Sequence, residues 1–159
     1  MMFAGLSGTW KKPITPPNQI EPMATGSNDD SFDWVTAQAG CSAEFMFQKL
    51  MDGAKTDVDR RNAATFGRKD GWRFEFHVDE DGFEVTRHTA TTKDAAFVTF
   101  QREGPRITIS GDGVDVQLTA IVAINAQGDC RYFIGEGEYL GWEVRKQALE
   151  QLFFEDLIE

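Results

Sequence analysis

Residues 72–85 read Trp-Arg-Phe-Glu-Phe-His-Val-Asp-Glu-Asp-Gly-Phe-Glu-Val. Trp72, Phe74, Phe76 and Val78 alternate with Arg73, Glu75 and His77, the period-two pattern of a strand with one face buried. Asp79-Glu80-Asp81-Gly82 then supplies turn residues, and Phe83 and Val85 resume the apolar face. A four-residue loop sets Val78 opposite Phe83 and Phe76 opposite Val85, so both apolar faces agree. The hairpin therefore anchors an antiparallel sheet.

Strand patterns continue C-terminal to it. Ala96 to Arg102 is a third strand, turned by Glu103-Gly104-Pro105. Ile107 and Ile109 mark a short fourth strand, and Gly111-Asp112-Gly113 turns again. Alternation from Val114 to Ile124 predicts a long fifth strand. Ile121 and Ala123 make its far half apolar on both faces, which predicts cover on both sides. Cys130 to Ile134 is the sixth strand.

Helices bracket this run. Phe47, Leu50, Met51, Ala54 and Val58 recur at helical spacing behind Ser42, a suitable N-cap, and the helix is expected to fade near Phe66-Gly67. Phe32, Trp34 and Val35 suggest an earlier helical turn before Gly40. Trp142 opens a last helix. Its buried stripe is Ala148, Leu149, Leu152, Phe153 and Leu157, with Glu143, Arg145, Lys146 and Glu150 outward. The expected fold is a single α+β domain: an antiparallel meander of about six strands flanked by an N-terminal and a C-terminal helix.

Residues 1–30 form a separate segment. Pro13, Pro16, Pro17 and Pro22 disfavour helix and point to an extended arm preceding the domain of residues 31–159. Trp10, Ile14 and Ile20 make it too apolar for a plain tether. It either docks on a partner through those anchors or folds back over its own sheet.

At 159 residues the chain can bury a core without metals or disulfides. Its net charge of −10 disfavours nucleic acid and anionic membranes and suits a basic protein partner. No apolar stretch has the length of a membrane span, and no secretory leader is evident. Cys41 and Cys130 are the only cysteines, and with no leader they are expected to be free thiols in a reducing cytoplasm.

Candidate chemistry is sparse. On the polar face of the hairpin, Arg73 falls opposite His88, Glu75 opposite Thr86, and His77 opposite Glu84. A carboxylate beside an imidazole can poise a general base, but a solvated row of cross-strand charge pairs explains the same residues. Cys41, beside a helix N-terminus, has the setting of an activated thiol; a nucleophile would also need His77 or His88 nearby. Asp79-x-Asp81-Gly82 resembles the opening of a calcium loop without the later ligands, and neither cysteines nor histidines have metal-ligand spacing. No cofactor is implied. Arg60, Arg61, Arg68, Lys69 and Arg73 surround Trp72, a cluster that could hold phosphates but also suits a helix C-terminus.

Two resemblances bear on function. Gly8-Thr9-Trp10 resembles the G-x-W near the start of lipocalins, but a helix intervenes here and six strands, not eight, follow. Gly141-Trp142, followed by Leu149 and Leu152, is similar to the last helix of some helix-grip domains. That resemblance implies a carrier or sensor holding a small apolar ligand between sheet and helix.

Three function classes follow. The leading one is a non-catalytic protein–protein interaction module: an adaptor, inhibitor, chaperone-like factor or small subunit of an assembly. Its contacts are Trp10, Ile14, Pro16, Ile20 and Phe154, which falls off the stripe of the last helix. The helix-grip carrier is second, and a small enzyme using His77, His88 or Cys41 is third. Self-association through a sheet edge remains open to all three.

Overall fold

The computed structural model describes residues 31–64, 71–89 and 95–155. The chain divides into two compact units, one ending at Thr36 and one running from Ala37 to Glu159. Asp33 opens a short helix α1 (Trp34–Ala39): its carboxylate accepts from the Thr36 amide at 3.0 Å and from the Thr36 hydroxyl at 2.6 Å. Those hydrogen bonds hold the Asp33 carboxyl below the usual carboxylate range.

The second unit is an α+β domain. It comprises α2 (Ala43–Ala63), β1 (Arg73–Val78), β2 (Gly82–His88), β3 (Ala96–Glu103), β4 (Arg106–Asp112), β5 (Gln117–Ile124), β6 (Cys130–Ile134), β7 (Gly137–Tyr139) and α3 (Gly141–Phe154). The strands form one antiparallel sheet in strictly sequential order. The hairpin register is the one its alternation predicts: Val78 faces Phe83, Phe76 faces Val85, and Arg73 faces His88. Asp79 closes the turn, its side chain accepting from the Gly82 amide at 3.0 Å and its own amide donating to the Gly82 carbonyl at 2.9 Å.

The boundaries differ from expectation in detail. A seventh strand, β7, follows the Gly135 turn, because Tyr139 can continue the face carried by Tyr132 opposite it. β4 runs over seven residues, while β5 starts at Gln117, later than Val114. Ser42 caps α2 as its sequence suggests, its hydroxyl accepting from the Phe45 amide at 3.1 Å. That helix ends at Ala63, ahead of Phe66-Gly67, which lie outside the described residues together with Leu157 and the arm residues Trp10, Ile14, Pro16 and Ile20.

Both long helices pack on one sheet face and on each other. Leu50, Ala54 and Val58 of α2 and Val144, Ala148, Leu149 and Leu152 of α3 are buried against Phe74, Phe83, Val85, Val98, Phe100, Ile107 and Ile109. Phe83 stacks on its cross-strand partner Phe100 at 4.3 Å, and Phe47 of α2 meets Phe83 at 5.5 Å. Side chains thus fill the layer between helices and sheet. Ile121 and Ala123 are half-buried on the opposite face.

Two buried arginines complete this layer. Arg61 of α2 donates from Nε to the Phe153 carbonyl at 2.8 Å. Arg87 of β2 donates from one terminal nitrogen to the carbonyls of Leu152 and Glu155, at 2.9 and 2.8 Å. Its guanidinium lies 4.0 Å from the centre of the Trp72 ring. The last turn of α3 has no basic residue of its own, so neighbouring elements cap its carbonyls.

One expectation is overturned: Cys41 and Cys130 are not free thiols but a disulfide, with Cα atoms 5.2 Å apart. The bond ties the residue before the α2 cap to the first residue of β6. Their distance along the chain, 89 residues, said nothing about distance in space, because the meander returns β6 to the start of α2. A second correction concerns Arg145. It is not an outward charge; its side chain is only 18% exposed and donates from Nε to Asp57 of α2 at 2.6 Å.

Candidate binding surface

Two adjoining depressions lie on the helical side. The first is a cleft of about 500 Å³ where α2 begins, β6 and β7 turn, and α3 starts. Phe45, Met46 and Lys49 line it from α2, Arg131, Tyr132 and Tyr139 from the strands, and Trp142 and Arg145 from α3. Phe45 and Trp142 are 59% and 56% exposed at its rim, since both fall off the buried stripes of their helices. The Tyr132 hydroxyl donates to the Met46 carbonyl at 2.6 Å, fastening β6 to α2. Burial raises the Tyr132 phenol to about 12, opposed in part by the positive charge of Arg145.

The second depression, of about 480 Å³, runs between α2 and α3. Leu149 and Phe153 form its apolar floor, and Trp142 and Phe154 line it too. Phe154 is 53% exposed, and the Arg61 guanidinium lies 4.6 Å from its ring centre. Arg60, Lys146, Asp57 and Glu150 give the groove charges of both signs.

The residues singled out as catalytic candidates are not brought together. His77 and His88 lie on β1 and β2 at one edge of the sheet, whereas Cys41 is bonded to β6 near the other. His88 Nε2 lies 3.0 Å from Glu75 Oε1, and Arg73 donates to the same carboxylate at 3.2 Å. Those contacts, His88 first, hold the Glu75 carboxyl below its usual range. The Asp79-x-Asp81-Gly82 segment is a hydrogen-bonded turn, and among the described residues no group of three metal-ligating side chains converges.

The basic cluster disperses as well. Arg61 is buried under α3, Arg60 lines the groove and Arg73 pairs with Glu75; Arg68 and Lys69 lie outside the described residues. One face of Trp72 is already occupied by Arg87. Sequence reasoning missed Phe45, Lys49 and Arg145. One signal for them was Gly53 inside α2, since a glycine in a helix interior commonly marks a close approach.

Comparison with protein-family models, with curated proteins and with solved structures finds no match. Among the described residues no helix is long and apolar enough to cross a membrane.

Proposed function

We propose that this domain is a non-catalytic protein–protein interaction module that docks a partner on the groove between α2 and α3. The carrying observation is a filled interior beneath a surface that leaves Trp142 and Phe154 open along one groove. Exposed aromatic anchors over an apolar floor are what interfaces use, and the mixed charges suit a polar rim. The Pro-containing segment of residues 1–30, through Trp10, Ile14, Pro16 and Ile20, supplies a further contact in this reading. The net charge of −10 favours a basic partner surface around the apolar contact and disfavours nucleic acid. The helix-grip alternative has less support, because the sheet-to-helix layer is occupied by Leu50, Phe83 and Phe100, each fully buried. The Cys41–Cys130 bond weighs against the reducing cytoplasm expected from the sequence.

The test is affinity capture from source-cell lysate with the full chain, Phe154→Asp, and a form lacking residues 1–30, each checked for folding by circular dichroism. A protein held by the full chain and lost with Phe154→Asp supports the groove. Equal retention by all three forms removes both groove and arm, and no retained protein at all removes the interaction reading.

A further inference from the structure

The cleft has a charge pattern opposite to that of the chain. The protein carries 26 acidic against 16 basic residues, yet Lys49, Arg131 and Arg145 line the cleft and, among the described residues, no carboxylate does. The acidic partners of the two arginines stand outside its lining: Asp57 belongs to the neighbouring groove, and Asp129 and Glu138 hold Arg131 from 3.5 Å. Arg145 thus stands between the cleft, which it lines, and a carboxylate of the neighbouring groove.

Arg145 is the centre of the arrangement. Asp57 takes its Nε–H, and among the described residues its terminal nitrogens have no hydrogen-bond acceptor. One of them, Nη1, sits between two glycines. A Cβ built on Gly53 would lie 2.3 Å from it, and one on Gly141 would lie 3.6 Å away. The missing side chain at Gly53 of α2 leaves this space to the guanidinium, whose flexible end a Cβ there would displace. Lys49, one turn from Phe45, leans its ammonium over that ring at 5.5 Å. Phe45, Tyr132, Tyr139 and Trp142 supply aromatic walls. A space of about 500 Å³ falls within the range of small-molecule sites.

We propose that this cleft binds a small aromatic organic anion of the aryl carboxylate or aryl sulfonate class, its charge on Arg145 and Lys49 and its ring between Phe45 and Trp142. Guanidinium groups recognise two oxygens of a carboxylate or sulfonate through paired N–H donors, and a cation beside an aromatic wall favours a ligand carrying both features. This site adjoins the α2–α3 groove and shares Trp142 and Arg145 with it, but its occupant is a small anion rather than the partner protein.

The experiment uses the full-length protein and two probes: 1-anilinonaphthalene-8-sulfonate and the uncharged N-phenyl-1-naphthylamine. Near-ultraviolet circular dichroism first establishes that each variant is folded, since the sulfonate also lights up loosened states. The expected result is saturable one-to-one binding of the sulfonate, about tenfold tighter than the neutral probe and weakened by salt. Lys49→Glu and Arg145→Gln should each weaken it about tenfold, and Trp142→Ala should weaken both probes. Lys55→Glu, the same charge change on an exposed α2 position outside the cleft, should leave binding unchanged. No saturable binding to the folded protein overturns the proposal. So does equal affinity for the two probes, or an equal loss in Lys49→Glu and Lys55→Glu, which would mean attraction to general surface charge. Should Arg145→Gln fail to fold, Lys49→Glu against Lys55→Glu still decides.

Discussion

Removing the Cys41–Cys130 bond tests the tertiary arrangement most directly. The bond closes 89 residues of chain, a span containing all of α2 and β1 to β5. In the chain-entropy treatment, a loop of that length restricts the unfolded state by about 4.6 kcal/mol at 25 °C. Measured values often fall short, so we expect Cys41→Ser with Cys130→Ser to lose about 2–4.6 kcal/mol. That is a large share of the roughly 5–15 kcal/mol that holds a domain together. With a urea slope near 2 kcal/mol per molar, the midpoint should drop by about 1–2 M. The assay is urea unfolding followed by tryptophan fluorescence, on protein made in an oxidising compartment, for the parent chain and the double variant. Dithiothreitol should move the parent chain towards the double variant and leave the variant itself unchanged. Alkylation of the denatured, unreduced parent chain should add no iodoacetamide. Two adducts per chain, or a double variant with an unshifted midpoint, would refute the pairing. Oxidised protein recovered from source cells under acid quench would further place the chain outside a reducing compartment.

Two other expectations follow from polar contacts. Replacing Arg87 by Met keeps the bulk of the side chain but strips the Leu152 and Glu155 carbonyls of a charged donor. Hydrogen bonds to charged groups contribute about 1.5–3 kcal/mol each, and burying a guanidinium offsets part of that, so the net loss should be about 2–4 kcal/mol in urea unfolding. An unchanged midpoint would mean that the cap contributes nothing. For Glu75, the depressed carboxyl contributes stability that is present above the unfolded carboxylate range and lost as pH falls through the folded value. His88→Ala should raise the Glu75 midpoint towards the ordinary range in a carboxyl-carbon NMR titration between about pH 2 and pH 7. A midpoint that stays in place would remove the imidazole as the main cause.

By itself the sequence determined the local geometry. Alternation in Arg73–Val78 and Gly82–His88 specified not only two strands but their register, because slipping by one residue would turn Phe74, Phe76, Phe83 and Val85 outward. Helical spacing of Phe47, Leu50, Ala54 and Val58, with Ser42 ahead of them, specified α2 and its start. The same off-stripe reasoning that left Phe154 exposed applied equally to Phe45 and Trp142. Only the tertiary structure decided which distant groups meet: Cys41 with Cys130, Arg145 with Asp57, and Arg61 and Arg87 with the end of α3. Periodicity carries information over one or two turns of chain. A pairing across 89 residues depends instead on how seven strands twist and where two helices cross them, and that emerges from packing the whole core at once.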